Sequence, residues 1–216
     1  MVYNKAKQSD SASAVRLCVW SQAFIITHKR PSHTLRLKRA ALENDMAIVL
    51  RNAVNSDARR IAEIHVAAWK RAYTDIMDAG FLESLSVDDR EEMWRNVLSG
   101  SRKGCYLVAQ LEEAVEGFCV FGPVRERKIE NLGELVALNV HPECWGEGVG
   151  ASLVTRALEV MKSDGYTSVC LWVVQGNQRA IKLYERFGFV DSGITKVDSS
   201  HSGDPITEVR YDANMG

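Results

Sequence analysis

Between residues 134 and 161 the chain runs from an apolar, strand-like segment into a glycine-rich turn and then into a helical periodicity. The turn is Trp145-Gly146-Glu147-Gly148-Val149-Gly150. Glycines at such a junction let the main chain take conformations closed to other residues and let a ligand approach the backbone closely. The first N–H groups of the following helix have no intrahelical acceptors and lie at the positive end of its dipole. A strand, a glycine turn and a helix N-terminus in that order form a cradle for a diphosphate. A glycine triplet alone also serves as a plain strand-to-helix turn, so its surroundings must decide.

Two familiar phosphate loops fit poorly. A P-loop ends in Gly-Lys-Ser/Thr, whereas Gly150 is followed by Ala151-Ser152, with no lysine to reach a terminal phosphate. A dinucleotide fingerprint follows an early strand and has an acid at the end of the next strand. Here the loop lies two-thirds along the chain and the next strand ends Val173-Val174-Gln175.

The remaining pattern alternates between two periods. Ala47 to Arg51 reads as a first strand, and Asn55-Ser56-Asp57 supplies capping side chains for a helix with apolar residues at Ile61, Ile64, Ala67, Ala68 and Ala72. Ser86-Val87-Asp88-Asp89 has the form of a capping box and opens a second helix to about Val97. Strands follow at Cys105–Ala109, Gly117–Phe121 and Glu134–Val140, the first two joined by a turn at Glu112-Glu113. Val149, Leu153, Ala157, Val160 and Met161 trace one helical face. Ser168–Val174 reads as a strand covered on both faces, and Ala180, Leu183, Tyr184 and Phe187 mark a further helix. Phe189–Thr195 and Ile206–Tyr211 close the chain as strands. The expected fold is α/β (α+β): one mixed, mostly antiparallel twisted sheet of about seven strands flanked by about four helices.

Composition narrows the function classes. The chain has 216 residues, 46% hydrophobic and 25% charged, with a formal charge of −1, which favours neither nucleic acid nor a membrane surface as a partner. No run approaches the roughly 20 apolar residues of a spanning helix. The five cysteines are widely spaced with no Cys-x-x-Cys pair, so no metal site is expected, and buried thiols suit a reducing, cytoplasmic setting. Residues 1–45 hold eight Lys or Arg against three Asp or Glu and show no sustained periodicity. They faintly resemble an organellar transit peptide. The reading preferred is a poorly ordered extension, with the domain spanning residues 46–216.

A second constellation stands about 27 residues beyond the glycine loop: Asn177-Gln178-Arg179-Ala180-Ile181-Lys182-Leu183-Tyr184-Glu185-Arg186-Phe187-Gly188-Phe189. Asn177 can cap the helix, Tyr184 falls nearly two turns later on the same face, and Gly188 suits a left-handed helix end. Tyr184 alone would pass for a core aromatic. Taken together, Leu138-Asn139-Val140-His141-Pro142-Glu143-Cys144, the loop after it and this second run resemble the two motifs of the GNAT acetyltransferase superfamily. Leu171-Trp172-Val173 and Trp69-x-x-Ala72-Tyr73 resemble a common bacterial subgroup, and the likeness spans roughly Ala47 to Tyr211. The departure is Trp145, where the family usually carries Gln or Arg.

The resemblance implies an acyl-CoA N-acyltransferase fold using acetyl-CoA, with no metal. It places the pantetheine arm along Leu138, Asn139 and Val140. The pyrophosphate then falls on the amides of Trp145, Gly146, Glu147, Gly148, Val149, Gly150 and Ala151, and Asn177 and Tyr184 contribute from the second motif. It implies that Tyr184 protonates the departing thiolate and that Glu134 occupies the place of a general base; a solvated strand-end carboxylate is the plain alternative for Glu134. His141 is another candidate base, although a residue before Pro142 at a turn commonly has a structural role. No Cys/His/Asp arrangement is legible, so direct attack on the thioester is expected. The acceptor is expected to be an amine on a small molecule, a peptide N-terminus or a protein lysine. Trp69, Tyr73, Trp94 and the loop from Asp198 to Asp204 are candidate walls of its site. Dimers are common in the family, but no dimer motif is legible. A coenzyme A-binding module without turnover is the alternative function.

Overall fold

The computed structural model describes residues 47–100, 104–125, 129–198 and 205–216. The expected N-terminal extension, Met46 and residues 199–204 of the expected acceptor loop lie outside these residues. The element order is β1 (Ile48–Asn52), α1 (Ala58–Ala72), α2 (Ala79–Ser84), α3 (Val87–Ser99), β2 (Cys105–Leu111), β3 (Ala114–Pro123), β4 (Leu132–Val140), α4 (Val149–Ser163), β5 (Ser168–Val174), α5 (Gln178–Glu185), β6 (Val190–Asp198) and β7 (Ile206–Asn214). The seven strands form one mixed sheet in the order β1-β2-β3-β4-β5-β7-β6. Among the described residues only the β4–β5 pair is parallel.

Local chemistry explains most boundaries. The Ser86 side chain accepts the Asp89 N–H and starts α3, as the capping-box pattern predicts. Asp57 acts differently from expectation. Residues 55–57 form a short 3-10 turn, and the Asp57 carboxylate accepts the Val54 N–H at 2.8 Å while pairing with Arg51. Helix α2 was not anticipated. It has only six residues, too few for a visible period, and the Asp78 side chain starts it by accepting the Phe81 N–H at 2.7 Å.

The sheet is covered on both faces. Leu107, Ala109 and Leu111 of β2 join Cys119 and Phe121 of β3 under Leu153, Val154 and Ala157 of α4. The alternate residues Val108 and Phe118 face Ile61, Ala62 and Ile64 of α1 and Trp94 of α3. This period of two between two apolar layers makes β2 and β3 nearly continuous in hydrophobicity. Gly117 sets the approach of α4: a Cβ there would lie 2.8 Å from Val149 Cγ1 and 3.1 Å from Leu153 Cδ1. Gly117→Ala is therefore expected to destabilise the fold by about 1–3 kcal/mol through overpacking, read as a lower urea midpoint with the slope retained.

One irregularity shapes the interior. β4 and β5 pair only from Leu132↔Ser168 to Leu135↔Leu171, although β4 continues to Val140 and β5 to Val174. Against β3, the register steps from Val120↔Ala137 to Phe121↔Leu135, leaving Val136 as a bulge. A bulge increases local twist and re-aims a strand. The two parallel strands part just beyond it, and the far edge of residues 137–140 opens on a slot.

Candidate active site

The slot leads into a cavity of about 340 Å³. One wall is the separated end of β4, through Leu138, Asn139 and Val140; another is the glycine turn with Gly150 and Ala151. Asn177, Ala180 and Tyr184 of the α5 segment form a third, and Ala68, Ala72 and Tyr73 at the end of α1 form a fourth.

The turn is built to present main-chain donors. Gly148 is the N-cap of α4 and takes a left-handed conformation, with φ +84°, which residues with a Cβ adopt only at a cost. No side chain caps this helix. The Ser152 N–H is bonded to the Gly148 carbonyl at 2.9 Å, so the preceding N–H groups of Val149, Gly150 and Ala151 have no acceptor within the helix. Helix starts lacking a side-chain cap are sites where an anion supplies the acceptor. Beneath the turn, the His141 N–H donates to the Glu116 carbonyl at 2.8 Å and Pro142 opens a 3-10 turn, which fixes where the chain leaves β4.

Two phenols face the cavity. Tyr184 is 8% exposed and packs edge-on to Phe189, with ring centroids 5.9 Å apart. Burial pushes its hydroxyl well above the ordinary phenol value, and the nearby Cys119 and Tyr73 add to the rise. The group therefore stays protonated throughout the neutral range. Tyr73 is likewise pushed up by burial, while a hydrogen bond with the Asn177 side chain opposes the rise. The Asn177 Oδ1 accepts the Ala180 N–H at 3.2 Å, so this amide side chain caps α5 while lining the same cavity as Tyr73 at the end of α1.

The sequence pattern of the acetyltransferase (GNAT) family matches residues 58–189, which include every wall of this cavity. The chain belongs to the GNAT acetyltransferase family. A protein of Bacillus subtilis (strain 168), described as the uncharacterized N-acetyltransferase YuaI, is 31% identical over 134 residues, covering 62% of this chain and 76% of that protein. The spermidine N(1)-acetyltransferase of Thermoplasma acidophilum is 25% identical over 172 residues, covering 78% of this chain and all of that protein. A mycothiol acetyltransferase of Streptomyces scabiei is 31% identical over 126 residues, but the match spans 38% of its length. Among solved structures, the PaiA N-acetyltransferase of Thermoplasma acidophilum in complex with coenzyme A shares the fold. Its TM-score is 0.61 at 23% identity, over 78% of this chain and 99% of that one.

In this GNAT domain the residues singled out by sequence divide into two groups. Leu138, Asn139, Val140, Trp145, Gly146, Gly148, Gly150, Ala151, Tyr73, Asn177 and Tyr184 line one cavity. Glu134 does not. It is 1% exposed, and Arg125 holds its carboxylate through the backbone N–H at 2.9 Å and through Nη2 at 2.6 Å. A carboxylate saturated in this way has a structural partner rather than an acceptor amine. Trp69 is drawn away from the cavity into an aromatic cluster, 5.3 Å from His65 and 5.4 Å from Tyr73 between ring centroids. Trp94 is core, packed 5.0 Å from Phe118. Glu147 is exposed on the turn, and Val149 points its side chain into the core.

The structure adds groups that sequence reasoning passed over. Arg179, Lys182 and Arg186 of the α5 segment reach the cavity. Their signal was a basic repeat at helical spacing inside the second motif. Glu116, His141 and Cys144 converge, with metal-ligand-type atoms within 4.8 Å of one another. Sequence spacing did not reveal this trio because the bulge that carries Glu116 breaks the alternation of β3 opposite Ala109 and Gln110. Arg60 Nη2 donates to the Glu116 carboxylate at 2.6 Å, which places a fixed positive charge on the acid of the trio. Burial pushes the Cys144 thiol up, and Glu116 reinforces the rise, so the thiol is a poor nucleophile. Among the described residues no helix is long and apolar enough to cross a membrane.

Proposed function

We propose that this GNAT protein transfers the acetyl group of acetyl-CoA to a primary amine by direct attack, with Tyr184 as general acid. The observation that carries this reading is the convergence of an uncapped helix N-terminus, an open strand edge and a buried, protonated phenol on one cavity. The diphosphate lies on the amides of Val149, Gly150 and Ala151. The pantetheine arm runs along the unpaired edge of β4 at residues 138–140, completing the sheet where β5 has turned away. The thioester then lies beside Tyr184.

The amine nitrogen attacks the thioester carbon and forms a C–N bond. Main-chain N–H groups on the open β4 edge receive the developing oxyanion. As the C–S bond breaks, the Tyr184 Oη proton passes to the coenzyme A sulfur, the ammonium nitrogen loses a proton to solvent, and the Tyr184 phenolate takes one back from solvent to restore the enzyme. The products are an acetamide and free coenzyme A. The acceptor enters past Tyr73, at the α1 end of the cavity, as a small amine, a peptide N-terminus or a protein lysine. Among the described residues Cys105, Cys119, Cys144 and Cys170 form no disulfide, which suits a cytoplasmic, reducing setting.

The test is thiol release from acetyl-CoA across a panel of amines. Acceptor-dependent release supports the assignment. Tight coenzyme binding with no release on any amine favours a binding module instead. The pH profile is a second check. The acceptor must be neutral, with pKa about 10.4 for a lysine-like amine and about 8 for an α-amino group, so kcat/KM is expected to rise with pH from 6 to 9. Because burial holds the Tyr184 proton above the ordinary phenol value, kcat is expected to show no alkaline decline below about pH 10. An alkaline limb near pH 8 that vanished in Tyr184→Phe would contradict this.

A further inference from the structure

Two side chains from different walls of the cavity meet at its edge. Trp145 comes from the turn after β4 and Arg179 from the first turn of α5, and both line the cavity. The Arg179 guanidinium carbon lies 4.2 Å from the centroid of the Trp145 ring. The indole is itself fixed, because its Nε1–H donates to the Val140 carbonyl at 2.8 Å. Trp145 is therefore tied to the end of the open strand while its face carries the guanidinium.

The geometry of an arginine stack bears on what the group can still do. Stacking uses the flat face of the guanidinium, whereas its five N–H donors point outward in the plane of the group. The indole restricts a long, flexible side chain and leaves its hydrogen-bonding edge available. No described carboxylate pairs with Arg179. The uncapped start of α4, where an anion would supply the acceptor, shares this cavity through Gly150 and Ala151.

We infer that Arg179, held over the Trp145 ring, is a specificity-determining residue that hydrogen-bonds a phosphate group of the acyl donor, and that Trp145 is its positioning residue. The inference rests on the reading that acetyl-CoA is the donor. The enzyme then recognises its donor through the phosphates as well as the pantetheine arm. An acetyl thioester on a phosphate-free arm would be a poor substrate for this reason. Lysine at position 179 would keep the charge but lose the planar guanidinium and its forked donors.

Calorimetric titration with coenzyme A at low and high salt tests this, with thermal unfolding confirming that each variant is folded. Arg179→Gln is expected to weaken coenzyme A binding about tenfold and to flatten the salt dependence, because one phosphate-bound cation is lost. Arg179→Lys is expected to fall between Arg179→Gln and the parent protein. Trp145→Leu is expected to weaken binding about threefold to fivefold. The Trp145→Leu/Arg179→Gln double variant should be no weaker than Arg179→Gln alone, since the indole acts through the guanidinium. Trp145→Phe keeps a ring without the N–H and provides a second reading should the leucine variant prove unstable. Losses that multiply in the double variant, or an Arg179→Gln affinity within about twofold of the parent with unaltered salt dependence, overturn the inference. Absence of heat with the parent protein overturns the acetyl-CoA reading itself, which is a separate failure.

Discussion

Tyr184→Phe is expected to lower kcat by about 10²–10⁴-fold while the affinity for coenzyme A is largely retained. The substitution removes one oxygen and keeps the ring that packs on Phe189 within the core below α4 and α5. A merely structural role for this side chain would therefore leave kcat nearly intact. If the phenol delivers the proton to the coenzyme A sulfur, its loss acts on the step in which the C–S bond breaks and leaves ground-state binding alone. Burial makes the hydroxyl a weak acid in the resting protein. A leaving alkyl thiolate that is likewise stripped of solvent beside this phenol is a stronger base than in water, so transfer remains feasible there. Steady-state kinetics with a saturating amine, beside calorimetry with coenzyme A, separates the two quantities. An unaltered kcat would remove Tyr184 from the chemistry, and a matched loss of coenzyme affinity would recast it as a wall residue.

Gly148→Val is expected to weaken coenzyme A binding by about 100-fold or more. Space is not the obstacle, since a Cβ there would meet only Ile48 Cδ1, at 3.8 Å. The obstacle is the backbone, because φ is +84° and a β-branched residue at such an angle is strained by about 1–2 kcal/mol. The turn relaxes by rotating its peptides, and the amides of Val149, Gly150 and Ala151 lose their common aim. If those amides hold the diphosphate together, misdirecting the turn costs more affinity than one hydrogen bond would. The fold itself should survive, with a thermal midpoint lower by a few degrees. Calorimetry and circular dichroism on one preparation test both halves. Coenzyme affinity within about tenfold of the parent, in a folded variant, would show that the diphosphate does not rest on these amides.

Long elements were legible because their signals are local. The period of two through β2 and β3 and the 3.6-residue period of α4 follow from burial on opposite faces, which any chain must encode in its own order of residues. Ser86 and Asn177 announced their helices because a cap is a contact between residues three apart. The six-residue α2 was illegible, since one and a half turns carry no period. The two catalytic candidates separate along the same line. Tyr184 and Asn177 belong to one helix, and their spacing already placed them on one face. Glu134 depended on partners elsewhere in the chain, and only the fold delivers Arg125 to its carboxylate.

The sequence by itself determined the order of the elements other than α2, the glycine turn that leaves a helix start uncapped, and the face of α5 that carries Tyr184. Each is set by residues within a turn or two of one another. The tertiary structure alone decided that β4 and β5 part after Leu135 and Leu171, that Trp145 lies beneath Arg179, and that Tyr73 and Asn177 line one cavity. Those contacts join residues roughly 35 to 105 positions apart, and their geometry depends on sheet twist and a single bulged residue, to which local patterning is blind.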